Sequence, residues 1–207
     1  MRVFAAGTFT TCAWMLWSLA LAFAPASLGA QSPVWQVDSA SIRFEIRNAG
    51  LPVHGSFRGL VADIRFDPAH PEAGALTASV DARTINTGIS FRDRHLQRRE
   101  YFHVEEYGAL ELRSLRLWKA GAGYAGTFRL KIRAVERDIE IPFDFEQTGN
   151  RSRLCGKLTL DRLEYGIGKP SRILADEVRV EVVAWLILRE ADPDENATPE
   201  GHHIRPD

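Results

Sequence analysis

Cysteine is nearly absent: the 207 residues contain two, Cys12 and Cys155. The first lies in an apolar N-terminal run, so the rest of the chain holds a single thiol and no intramolecular disulfide can staple its fold. We read Cys155 as a small residue packed in a sheet. A dominant charge is missing too. With 26 basic and 27 acidic residues the formal net charge is −1, which argues against the broad basic stripe of a nucleic-acid binder. Beyond the first 30 residues no apolar run is long enough to cross a bilayer. There is no G-x-S-x-G elbow, no phosphate loop and no histidine pair at metal-ligand spacing. The stretch "GAGYAG", Gly121–Gly126, has the letters of a dinucleotide fingerprint, but "TFRLKIR" follows it as a strand where that fingerprint needs a helix. We read it as a hairpin loop. Nothing calls for a metal, a cofactor or a catalytic constellation.

Residues 1–30 carry one charged side chain, Arg2, followed by the apolar "AWMLWSLALAFA" and the small-residue stretch "APASLGA". This is the layout of a secretory signal peptide, with cleavage expected between Ala26 and Ala30 and a periplasmic or secreted product. Residues 191–207 hold five acids against one arginine and are expected to form a disordered acidic tail. Removing Arg2 and the six charges of the tail leaves 24 basic and 22 acidic residues in the domain between, 31–190, a balance of +2.

That domain is written with a period of two. "SIRFEIR" sets Ile42, Phe44 and Ile46 opposite Arg43, Glu45 and Arg47, and "TFRLKIR" sets Phe128, Leu130 and Ile132 opposite Arg129, Lys131 and Arg133. Such alternation marks strands with one buried and one wet face, paired antiparallel. Eight segments of this kind are predicted, near 40–48, 55–66, 75–82, 109–118, 124–133, 137–146, 153–161 and 177–188. In the fourth the apolar phase slips between Leu112 and Leu115, which predicts a β-bulge. The fold class is therefore all-β, an eight-stranded antiparallel barrel in preference to a sandwich because the strands are long. The inward face mixes large residues with Ala62, Ala78, Ala82, Gly156 and Ala184. Eight strands enclose a filled core or room for one small ligand, and these sizes leave both open.

Only residues 90–103 break the pattern. "FRDRHLQRREYF", residues 91–102, holds four arginines. Ser90 and Asp93 are spaced as a capping box, predicting a helix of about three turns over roughly residues 90–102. On it Arg92, His95, Leu96, Arg99 and His103 would share one face. One reading is a solvated helix partly paired to Asp93 and Glu100. The other is an anchor for an anionic head group, since arginine offers a planar fork to phosphate oxygens. Arg94 and Arg98 repel at i, i+4 without benefit to the fold, which favours the second.

The ordered set "WQVDSASIRFEIR", "GSFRGLVADIRFD", "VDARTINTGISFRDRHLQRREYFHVEEYGALELRS", "GTFRLKIRAVERDIEIPFDF", "LDRLEYGIG" and "DEVRVEV" resembles the YceI-like, or polyisoprenoid-binding, family from Trp35 to about Leu188. Arg92, Asp93, His95 and Leu96 match its R-D-x-H-L core, and Asp161, Arg162, Tyr165 and Gly166 match a second motif. The resemblance implies a lipocalin-like barrel around a long apolar channel for isoprenoid or fatty-acyl lipids, with the short helix near the mouth. On that basis Phe44, Phe57, Phe128, Phe143 and Leu158 are candidates to line the channel. Arg92, His95 and Arg99 are candidates for head-group contact, and Asp93 and Arg162 for structural ties. The sequence departs from the family at Asn48, where members often carry histidine, and at Leu154 and Cys155, in a strand that is otherwise glycine-rich. The expected function is a lipid carrier, without enzymatic activity or nucleic-acid partner. A ligand-free interaction or stress-response module is the alternative, and an enzyme using His95 as a base is a third reading. A homodimer and transient membrane contact are compatible with the carrier.

Overall fold

In a computed structural model, which describes residues 32–189, the alternating segments are hydrogen-bonded strands. The expected leader and acidic tail lie outside the described residues. The strands are β1 (Val34–Asn48), β2 (Leu51–Phe57), β3 (Val61–Arg65), β4 (Ala75–Asp81) and β5 (Ala109–Ala120). They continue as β6 (Gly123–Ile132), β7 (Val135–Thr148), β8 (Arg151–Asp161) and β9 (Leu174–Leu188). β2 and β3 both pair antiparallel with β1, β3 to β9 pair antiparallel in chain order, and β9 closes onto β1 from Trp35–Leu188 to Asn48–Leu174. Closure removes the free sheet edges that would otherwise invite aggregation. Nine strands make an eight-stranded barrel because β2 and β3 are two halves of one strand. Phe57 faces Ile42 and Ile64 faces Trp35 on β1, a single register interrupted at Arg58–Leu60, where Gly59 takes φ 74°.

Two-residue turns join β5–β6, β6–β7 and β7–β8. The glycine-rich stretch is the first of them, with Gly121 at φ 59° and Gly123 already in β6. At the second, Arg133 holds φ 58°, a region that costs a non-glycine residue about 1 kcal/mol. Its guanidinium donates to the Gly166 carbonyl and lies 5.9 Å from the Tyr107 ring centre, which offsets that cost. The phase slip is the expected bulge: register shifts between Ser114 and Arg116, turning Leu115 out and Leu117 into the core.

The two ends of the barrel differ. At one, Trp35, Phe66, Phe143 and Phe145 form an aromatic plug, with Phe66 4.8 Å from Phe145 and 5.6 Å from Phe143. The Trp35 indole N–H donates to the Phe66 carbonyl at 2.9 Å, so even its polar atom is satisfied. At the other end sit residues 82–108 and 162–173. Here helix α1 is shorter than predicted, Ser90–Leu96, and the chain then runs through turns. The capping box does not form. Ile89 is the N-cap and makes no side-chain bond. Asp93 instead accepts from the Thr87 amide at 2.8 Å and the Thr87 hydroxyl at 2.5 Å. With the helix ended at Leu96, Arg99 and His103 do not share a helical face with Arg92. The expected inward Ala82 is buried, but in a 3-10 turn rather than in the barrel wall.

Candidate functional site

Inward side chains of the barrel leave a cavity of ≈ 430 Å³, within the about 300–1,000 Å³ of ordinary ligand sites. Val178, Val180, Val182 and Ala184 of β9 form one wall, Leu154, Leu158 and Leu160 of β8 the next, and Ile42, Phe44 and Ile46 of β1 the other side. Its floor is Phe128, Ile141 and Phe143, the inner layer of the aromatic plug. Lining residues on β9 run from Leu174 to Ala184, ten steps of about 3.3 Å. At a strand tilt of about 40° the cavity is roughly 25 Å deep, an elongated channel rather than a round pocket. Ala62 pairs with Ala78 in the wall, and Thr77, Ser79 and Glu111 beside them also border the space.

Polar groups gather at the end away from the plug. Asn48, Thr87, Arg92 and His95 border the cavity there, with Tyr101 and Leu174. Arg92 is held in place: its Nε donates to the Thr87 hydroxyl at 2.7 Å and one Nη to the Thr87 carbonyl at 2.7 Å. Since Thr87 also donates to Asp93, an Arg92–Thr87–Asp93 chain fixes α1 over the mouth. His95 packs its ring 5.0 Å from Tyr101.

Arg162 is the other built feature. Only 3 % exposed, it donates to the carbonyls of Ile167, Lys169 and Ala175 and to the Asp176 carboxylate at 2.7 Å. A buried guanidinium needs such partners, and these close the 162–176 segment upon itself. Asp161 caps the 3-10 turn that presents Arg162 by accepting from the Leu163 amide, and Gly166 ends that turn at φ 67°. The neighbouring Tyr165 hydroxyl is buried with no partner, and its burial pushes the phenol pKa up.

The structure brings seven of the eight candidate residues to the channel: Phe44, Phe57, Phe128, Phe143, Leu158, Arg92 and His95. Arg99 is the exception. It lies exposed in the turns after α1 and does not border the cavity. Residues missed in the sequence are of two kinds. Val178, Val180 and Val182 share one parity of β9 and were readable from the pattern. Thr87, Tyr101 and Phe102 lie in irregular chain and carry no periodic signal. Gly55 makes room for the Phe44 side chain: a Cβ there would fall 2.2 Å from the Phe44 ring, which lies across it and packs at a tilt against Phe57, 5.5 Å between ring centres.

Comparison with known proteins adds the sequence family to this geometry. The profile of the YceI-like domain matches residues 35–185, nearly all of the barrel. The chain belongs to the YceI-like family. A UPF0312 protein of Ectopseudomonas mendocina is 25 % identical over 142 residues, covering 65 % of this chain and 74 % of the relative. Another, from Serratia proteamaculans, is 25 % identical over 116 residues, covering 56 % and 60 %, so this chain spans less than two thirds of that relative. Among solved structures, Burkholderia cenocepacia BcnA superposes with a TM-score of 0.68 at 21 % identity, over 70 % of this chain and 95 % of that one. A polyisoprenoid-binding domain from Saccharophagus degradans gives 0.58 at 12 % identity, over 76 % and 100 %. Both share the fold of this chain.

Proposed function

We propose that this YceI-like protein is an exported, periplasmic carrier for a polyisoprenoid or other long-chain amphipathic lipid. The observation that carries the reading is the channel itself: deep, apolar along its walls and floor, closed by aromatic rings at one end and bordered by Arg92, His95 and Asn48 at the other. An amphipathic lipid has the matching polarity, tail to the plug and head to the mouth. Each isoprenoid unit of roughly 100 Å² of apolar surface contributes about 2.5 kcal/mol before the costs of association, so a few units suffice for useful affinity. The polyisoprenoid-binding neighbour from Saccharophagus degradans supports the ligand class, and the leader-like residues 1–30 support export.

The test is mass spectrometry of an organic extract from protein purified out of its own host without detergent. A long-chain lipid in stoichiometric amount is expected. Protein that is clean, and stays clean after incubation with the host's lipids, would turn the reading to a ligand-free interaction module.

A further inference from the structure

The surface around the channel mouth differs from the rest of the molecule in two independent ways. Of the seven large apolar residues that stand exposed among the described residues, four are here: Leu51 at 70 %, Phe91 at 71 %, Ile173 at 64 % and Ile89. The other three, Val61, Leu115 and Trp185, are scattered on the walls as single residues. The second difference is charge. Arg47, Arg94, Arg98, Arg99, Lys169 and Arg172 are all exposed at this end, and among the described residues none of the six is in an ion pair. On the barrel walls Arg129, Lys131, Arg153, Lys157 and Arg179 each sit beside an acid, while Arg43, Arg113, Arg116 and Lys119 are exposed without one among the described residues. The mouth is set apart by how many unpaired cations it gathers.

These segments form one surface. The Ala49 amide donates to the Ile173 carbonyl at 2.6 Å, joining the β1–β2 turn to the loop before β9. The Gly168 amide donates to the Glu100 carbonyl at 2.7 Å, joining that loop to the segment after α1. Across residues 47–51, 89–100 and 168–173 the acids are Asp93 and Glu100, and Asp93 is already bonded to Thr87.

We propose that this end of the barrel docks on an anionic phospholipid bilayer, with Phe91, Leu51 and Ile173 entering the interface and the unpaired cations lying on the head groups. Isolated apolar tips ringed by uncompensated arginine and lysine fit a fluid, negatively charged plane. They do not form the contiguous desolvated patch with paired polar rim that a protein partner would need. The proposal deepens the carrier reading, because the docked face is the one through which a lipid enters or leaves.

The experiment is flotation of the full protein with phosphatidylcholine vesicles, with and without phosphatidylglycerol. Binding is expected only with phosphatidylglycerol and is expected to fall steeply with salt. The variant Arg94→Ala/Arg98→Ala/Arg172→Ala should lose about fivefold per charge, about a hundredfold in all, with an unchanged β-sheet circular dichroism spectrum. Phe91→Ser should weaken binding to the same vesicles. Arg151→Ala, at the plugged end, should leave it as it was. Absent binding to anionic vesicles, equal binding to neutral ones, or a triple variant that floats like the parent would overturn the proposal. The extracted lipid is measured on the same preparations. Protein that carries lipid but does not float refutes docking alone, and protein that floats empty refutes the carrier while docking stands.

Discussion

Arg162 and Tyr165 are three residues apart and answer opposite demands. Arg162 is buried and fully used, so Arg162→Ala leaves several carbonyls and Asp176 without their donor and is expected to cost about 3 kcal/mol of unfolding free energy. Lysine should restore little, since one ammonium cannot span carbonyls on Ile167, Lys169 and Ala175 together. Tyr165 is buried and unused. Burial holds the phenol in its neutral form, yet the hydroxyl finds no partner, a state that ordinarily costs about 1–3 kcal/mol. Tyr165→Phe should therefore keep full stability or gain up to about 1 kcal/mol in urea denaturation. A loss of that size would show that the hydroxyl bonds something, such as a trapped water. Both positions belong to the motif "LDRLEYGIG". Its residue types were legible in the sequence, but the contrast between them was not, because it depends on where the 162–176 segment folds back.

At the scale of elements, the strands were legible because a half-buried strand repeats every two residues, and the pattern extends over nearly the whole domain. The bulge at Leu115 was readable for the same reason. The interruption between β2 and β3 was missed, one strand being expected over 55–66, although the apolar parity changes across Gly59 from Phe57 to Ala62, Ile64 and Phe66, where pairing with β1 lapses. Helix α1 begins at Ser90 as predicted but ends at Leu96, short of about 102, and at its start Thr87, outside the motif, captures the acid that the capping box assigned to Ser90. The strands carry two predictions. On β8, Gly156 lines the channel opposite Phe143, and a Cβ added there would meet nothing nearer than 3.7 Å. Gly156→Leu should fold normally but occupy the channel, so that extracts contain several-fold less lipid. Undiminished lipid would place the ligand elsewhere. On β6 and β7, Arg129 and Asp138 form a two-pronged pair at 2.6 and 2.8 Å, and this hydrogen bonding holds the Asp138 pKa below the usual value. Because the folded state lowers that pKa, its stabilisation is present above the ordinary carboxylate range and is lost as the pH falls through it. Asp138→Asn should melt below wild type at neutral pH and approach it near pH 3. A constant gap across that range would remove the pair from the account.

For the whole molecule, the polarity of the barrel decides how a ligand lies in it. The plugged end contains Trp35, which packs with Phe143 and Ala184 at the deep end of the channel, whereas Arg92 and His95 border the open end. Reversing a lipid would press its head group against aromatic rings and strip it of water, a penalty that burying the tail in the polar mouth could not offset. Orientation is measurable with Trp35 as the only tryptophan, the other four of the five being replaced by phenylalanine. Bromine quenches indole emission at short range, so a long-chain lipid brominated at its tail end should dim Trp35 strongly, and one brominated beside its head group should barely do so. The opposite order would place the head at the plug and overturn the tail-down arrangement. Equal, weak quenching from both would mean that the chain stops short of Phe128 and Phe143. The deep half of the channel would then be packing space rather than binding space.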